Sequence, residues 1–101
     1  VLSHWGGGLL FYELMKEVKS ITKNVYYDTA ATNYLYEKDI FEISIKLIGS
    51  EKILFGSDFP ILNPSKIFNE MKKISDSDLE KITFTNAKYL LGINWKTMSL
   101  F

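Results

Sequence analysis

Ile53-Leu54-Phe55-Gly56-Ser57-Asp58-Phe59-Pro60 says more about this chain than any other stretch of it. Its apolar start suits a short strand buried on both faces, as strands of parallel sheets are. Gly56 and Ser57 then make a step of small residues, Asp58 stands alone as a carboxylate, and Pro60 ends the strand. Parallel α/β sheets carry their functional groups just past the carboxyl ends of the strands. The segment therefore reads as a strand delivering one acid to the mouth of a site.

The flanking sequence supports a sheet of that kind. Upstream, Ile40, Ile43 and Leu47 predict a helix over Asp39 to Ile48, stopped by Gly49. Before it lies a polar loop from Ala30 to about Glu37, and before that Asn24 to Thr29, rich in β-branched and aromatic residues, reads as a strand. Leu10, Leu14 and Val18 at fourfold spacing predict a helix from Leu9 to about Lys19. Val1 and Leu2 read as the tail of another strand, followed by the glycine turn Gly6-Gly7-Gly8.

Downstream, Asn63-Pro64 places a capping side chain before a proline at the first helical position. Ile67, Phe68, Met71 and Ile74 mark the helix that follows. Ser77-Asp78-Leu79-Glu80 has the capping-box spacing and predicts a further helix through Ile82, Asn86, Leu90 and Leu91, closed by Gly92. The tail from Ile93 to Phe101 carries no clear pattern. Strands alternating with helices predict βα units and a parallel sheet.

Composition narrows the classes of function. Of 101 residues, 47% are hydrophobic and 24% charged, which is globular rather than disordered. Twelve basic residues balance twelve acidic ones, so nothing draws the chain to nucleic acid or to a membrane surface. There is no cysteine, which excludes disulfides and thiolate metal sites and is compatible with a cytoplasmic setting. No apolar run approaches the roughly 20 residues of a membrane span.

Each of the three strand ends carries polar groups. The first has Ser3 and His4, the second Asp28 and Thr29 with Thr32 and Asn33 beyond, the third Ser57 and Asp58. His4 is the only histidine. A lone histidine is commonly a packed or surface group. At a strand end before three glycines, however, it can serve as acid, base or neutral metal ligand. Asp58 can hold a cation or take a proton, although Asp after a strand is also a turn former. Asp28 reads equally well as a cap or turn residue, and Tyr34 as a loop aromatic or a substrate wall. The triple glycine is neither a Walker loop nor a dinucleotide fingerprint.

Taken in order, Ser3-His4-Trp5-Gly6-Gly7-Gly8, Asn24 to Ala30, Ile53 to Pro60, Glu80-Lys81-Ile82 and Asn86-Ala87-Lys88-Tyr89-Leu90-Leu91-Gly92 resemble a known family. They are similar to the C-terminal part of the amidohydrolase-related metal-dependent hydrolases, the branch that includes aminocarboxymuconate-semialdehyde decarboxylase. The resemblance runs to about Ile93. It implies an α/β fold in which residues 1–101 are a single C-terminal portion, the last three βα units, of a (β/α)₈ barrel. It implies that His4, after the sixth strand, acts in catalysis or metal binding. Asp58, after the eighth, would ligate a divalent metal, zinc being expected, or act as base toward its water.

The family's His-x-His pair and its further histidine ligand have no counterpart here, so this chain is expected neither to bind zinc tightly nor to hydrolyse anything alone. Three parallel strands also leave exposed edges, so the missing N-terminal barrel segment or self-association is expected to cover them. The expected function is that of a metal-dependent hydrolase acting on a small molecule through a metal-activated water. The alternatives are a nonoxidative decarboxylase on the same scaffold, or a non-catalytic half-barrel or assembly module.

Overall fold

The structure, a computed structural model, describes residues 1–92. The tail from Ile93 lies outside the described residues. Two strands, β1 (Tyr27–Asp28) and β2 (Ile53–Leu54), pair in parallel, with Tyr27 opposite Ile53 and Asp28 opposite Leu54. On the other side of β1, Leu2 bridges Tyr27, also in parallel. Its amide donates to the Tyr26 carbonyl at 2.8 Å, and its carbonyl accepts from the Asp28 amide at 3.0 Å. Three chain segments thus lie side by side in the order Leu2, β1, β2, and all run the same way.

Around this sheet lie helices α1 (Lys16–Ile21), α2 (Thr32–Leu35), α3 (Ile40–Ile48), α4 (Pro64–Glu70), α5 (Asp76–Glu80) and α6 (Asn86–Leu91). The 3₁₀ segments His4–Leu14, Ser50–Lys52 and Met71–Lys73 and a π-helical turn, Lys81–Thr85, complete the chain. The fold is mixed α/β, mostly helical, with a small parallel sheet. None of the described helices is long and apolar enough to cross a membrane.

The strands are shorter than the sequence predicts, for a local reason. The ladder continues as far as the Thr29 amide, which donates to the Leu54 carbonyl at 3.0 Å. The next rung is made by a side chain: the Thr29 hydroxyl donates to the Gly56 carbonyl at 2.8 Å and accepts from the Gly56 amide at 3.0 Å.

The first predicted helix is broken in two. A 3₁₀ turn has three residues rather than 3.6, so positions three apart share a face. Leu10 and Glu13 are buried, while Leu14 is 71% exposed. The helix then stops at Met15, whose backbone is extended, and restarts at Lys16. In α3 the inward face is Ile40, Phe41 and Ser44, and Ile43 turns outward.

Caps explain the other boundaries. Asn63 accepts from the Ser65 amide at 3.0 Å ahead of Pro64, as its sequence predicts. The following helix begins two residues before the predicted box, because Ser75 accepts from the Asp78 amide at 3.2 Å and takes the N-cap role expected of Ser77. Gly49 (φ 83°) and Gly92 (φ 64°) stop α3 and α6 as expected.

The core is one cluster: Trp5, Leu10, Tyr27, Ile40, Phe41, Ile53, Ile67, Met71, Ile74 and Ile82. Trp5 meets Phe41 edge to face at 5.4 Å, and Phe55 stacks on Phe68 at 4.7 Å. These geometries add to the burial itself, by about 1 kcal/mol per pair.

The outer edge of β2 is closed by a helix rather than a strand. Asn86 donates from its amide to the carbonyls of Ser50 at 2.6 Å and Ile53 at 2.8 Å. The Phe55 amide donates to the Ile82 carbonyl at 3.0 Å. That carbonyl faces the sheet in the π turn, where the Asn86 amide bonds to Lys81, five residues back.

Candidate functional site

The chain enters the site through a left-handed turn. His4, Trp5, Gly6, Gly7 and Gly8 have φ of 40°, 61°, 64°, 63° and 97°. Two of these residues carry side chains, in a region that costs an L-residue about 1–2 kcal/mol. Three anchors hold them there. The His4 amide donates to Asp28 Oδ1 at 2.8 Å. The His4 carbonyl accepts from the Tyr36 hydroxyl at 3.2 Å. Trp5 is fully buried, and its indole N–H donates to Thr32 Oγ1 at 3.0 Å. Gly6 is required by contact as well as by conformation: a Cβ there would lie 2.9 Å from the Tyr27 ring.

The outcome is an exposed His4 beside a buried Trp5. The His4 imidazole forms no hydrogen bond or ion pair with any of the described residues.

Asp28 ends β1 and is half-buried. Its Oδ1 accepts from two amides, His4 and Ala30, the second at 3.1 Å in the side-chain turn that Asp commonly forms two residues on. Next to it, Thr29 is fully buried and holds Gly56. Thr32, also fully buried, donates from its hydroxyl to the Thr29 carbonyl.

Asp58 follows Gly56 and Ser57 and is exposed. Its backbone is left-handed (φ 59°), its carbonyl accepts from the Leu62 amide at 3.2 Å, and Ser57 Oγ accepts from the Phe59 amide at 3.3 Å. Its carboxylate has no partner among the described residues. A Cβ on Gly56 would rest 3.7 Å from that of Asp28, so the step before Asp58 packs on the Asp28 turn.

The fold thus brings all three strand ends to one edge of the sheet and leaves the two predicted site residues, His4 and Asp58, with free side chains. His4 is joined to the neighbouring strand end through its backbone. Asp28, read as a cap or turn residue, Thr29, read as the strand's last residue, and Thr32, read as loop, form the hydrogen-bonded base under both. A polar run Asp-Thr directly after a strand was the available signal. Tyr34 is 70% exposed on α2.

No three His, Cys, Asp or Glu side chains converge among the described residues. A catalytic zinc uses about three protein ligands plus water, and His4 and Asp58 fall short of that set.

At the other end of the strands the electrostatics are settled. Glu13 is buried and accepts from Lys52 Nζ and from the Tyr27 hydroxyl, each at 2.7 Å. Lys52 also donates to the Thr22 carbonyl at 2.9 Å. Burial pushes the Glu13 carboxyl up, but the hydrogen bonds from Lys52, Tyr27 and Thr22 outweigh it and hold it below the usual value. Burial and the adjoining carboxylate push the Tyr27 phenol up. Every group in this cluster is satisfied by another, which marks it as a strut of the fold.

Parallel strands, a left-handed histidine turn and an aspartate at one edge of the sheet are what the chain sets side by side. It belongs to the amidohydrolase family, whose model matches residues 1–93. No curated protein matches in sequence.

Among solved structures, the 2,6-dihydroxybenzoate decarboxylase from Rhizobium is similar at 22% identity and a TM-score of 0.71, over 90% of this chain and 33% of that one. A dihydroxybenzoic acid decarboxylase from Polaromonas sp. JS666, with bound manganese and 2-nitroresorcinol, matches at 22% identity and a TM-score of 0.74, over 90% and 32%. An amidohydrolase-like protein from Staphylococcus aureus matches at 30% identity and a TM-score of 0.70, over 90% and 33%. The chain spans about a third of the length of these relatives and matches part of an amidohydrolase barrel.

Proposed function

We propose that this chain supplies the last three βα units of a metal-dependent amidohydrolase-family barrel that hydrolyses a small molecule. His4 and Asp58 are its contributions to the active site. The observation that carries the reading is their common setting. Both stand at carboxyl ends of parallel strands, both are exposed, and both have left-handed backbones with side chains that nothing in the described chain engages. Such a placement costs stability and makes sense when the groups serve something outside the chain. Asp58 is proposed as a ligand of a divalent metal or as the base beside it, and His4 as a proton-transfer group or a further ligand. The metal is expected to be zinc, although manganese is the ion named in the Polaromonas structure. A cytoplasmic setting goes with the cysteine-free composition.

A second reading, a nonoxidative decarboxylase on the same scaffold, draws support from the decarboxylases among the structural relatives. A non-catalytic half-barrel is the third.

The remaining ligands and the cover for the sheet are proposed to come from an N-terminal barrel segment, or failing that from a second copy of the chain. Phe59 and Ile61, beside Asp58, are 75% and 79% exposed, which suits surfaces that pack on another segment. The test is to read and express the coding sequence in frame upstream of Val1. A His-x-His on a strand there, with metal-dependent turnover in the longer chain, supports the enzyme. A start codon directly before Val1 supports the module. Dihydroxybenzoates set against esters, amides and lactones as substrates separate decarboxylase from hydrolase.

A further inference from the structure

We propose that Asp28 and Thr29 are positioning residues for the site, Asp28 setting the turn that presents His4 and Thr29 setting the step that presents Asp58. The inference rests on the reading of His4 and Asp58 given above and extends it to the residues beneath them.

The two are consecutive at the end of β1, the middle segment of the sheet, and they reach in opposite directions. Asp28 reaches toward the segment that bears Leu2: its Oδ1 takes the His4 amide at 2.8 Å while holding its own turn through Ala30 at 3.1 Å. One carboxylate oxygen thus ties two loops together with charge-assisted bonds, which are roughly twice as strong as neutral ones. The bond falls on His4, the first left-handed residue of the turn, where the chain most needs to be held.

Thr29 reaches toward β2. Its hydroxyl meets both hydrogen-bonding groups of Gly56, donating to the carbonyl at 2.8 Å and accepting from the amide at 3.0 Å. A side chain thereby takes the place of a ladder rung and fixes the peptide two residues before Asp58. Thr29 is fully buried, so no water competes for those bonds. Thr32 completes the base, accepting from the Trp5 indole and donating to the Thr29 carbonyl. The end of β1 therefore grips the histidine turn at consecutive residues, His4 and Trp5, and the aspartate loop at Gly56. Neither Asp28 nor Thr29 needs to touch a substrate for this.

Amide hydrogen exchange followed by NMR on the chain itself tests the inference, with Thr29→Val, Thr29→Ser, Asp28→Ala and Asp28→Asn. Loss of one such bond is expected to speed local exchange by roughly 3- to 10-fold. Thr29→Val should do this at Gly56 and leave His4 and the Leu10 amide unchanged, with Thr29→Ser restoring the parent rate. Asp28→Ala should do it at His4 and Ala30 and leave Gly56 unchanged, with Asp28→Asn, which keeps an acceptor oxygen, restoring part. A uniform rise over all core amides, or unchanged rates at the named amides, overturns the proposal. The measurement needs neither metal nor substrate, so it stands or falls separately from the roles of His4 and Asp58, which turnover decides.

Discussion

Asp58 and Glu13 show how one kind of side chain serves opposite ends of the same sheet. Asp58 is exposed and unpartnered among the described residues, so its removal should cost chemistry and not the fold. If a longer chain of the proposed kind turns over, Asp58→Asn in it is expected to abolish turnover while circular dichroism is unchanged and stability stays within about 0.5 kcal/mol of the parent. Turnover retained in that variant refutes the role. Glu13 is buried under Lys52 and Tyr27. Glu13→Gln should cost about 2 kcal/mol in urea unfolding, because Lys52 is left facing a neutral partner. Its pH dependence has a definite sign. The folded carboxyl is held below its usual value, so the unfolded chain binds protons more readily and acid favours unfolding. The stabilisation is complete above about pH 5 and is lost as pH falls through the lowered folded value. Stability curves from pH 6 to pH 2 should fall more steeply for the parent than for Glu13→Gln. Equal slopes would mean that Glu13 is not held below its ordinary value.

Among the elements, the helix that closes β2 invites the sharpest test. Asn86→Ala takes the side-chain donor from the Ile53 carbonyl at a buried edge, leaves the Ser50 carbonyl with only the Ile53 amide, and should cost about 2 kcal/mol. Asn86→Asp should cost more, since a carboxylate would face two carbonyl oxygens with nothing to donate. Urea midpoints rank the two, and the reverse order would sink the account. The places of the strands, though not their lengths, and the helix stops at Gly49 and Gly92 were legible in the sequence, because an apolar run meeting Gly-Ser-Asp and a glycine after a helical pattern have few other uses. Register was harder to read. Ser75 and Ser77 each stand three before an acid, and only the fold selects Ser75. Leu14 fits a 3.6-residue period, but a 3₁₀ turn puts Glu13 inward instead. The glycines foretold positive φ, yet nothing in the sequence foretold that His4 and Trp5 would share it. Asp28 and Thr29 were visible but mute, since their role depends on which loops flank β1.

For the molecule as a whole, the question is what holds a chain that spans about a third of its relatives' length. The sheet has three segments, and a helix rather than a strand covers the outer edge of β2. Large apolar side chains outside the core remain in water, among them Ile21, Phe59, Ile61 and Tyr89. Calorimetric titration of the isolated chain with zinc or manganese should show no tight 1:1 binding, because two donors do not make a catalytic site. Tight stoichiometric binding would overturn the dependence on outside ligands. Sedimentation should show mass rising with concentration as the exposed apolar surface finds a partner, and a monomer at all concentrations would argue against it.

The π turn Lys81–Thr85 has a further consequence for how this helix measures length. One residue too many for an α-helix has been taken up inside it, and the surplus works as a spacer. Were the same residues to run as a regular α-helix, with none deleted, everything beyond would swing by about 100° around the axis. Asn86 would then point away from the sheet, and a neater helix would leave β2 unlatched. The irregular turn is the setting that brings the far half of the helix into phase with the strand it closes.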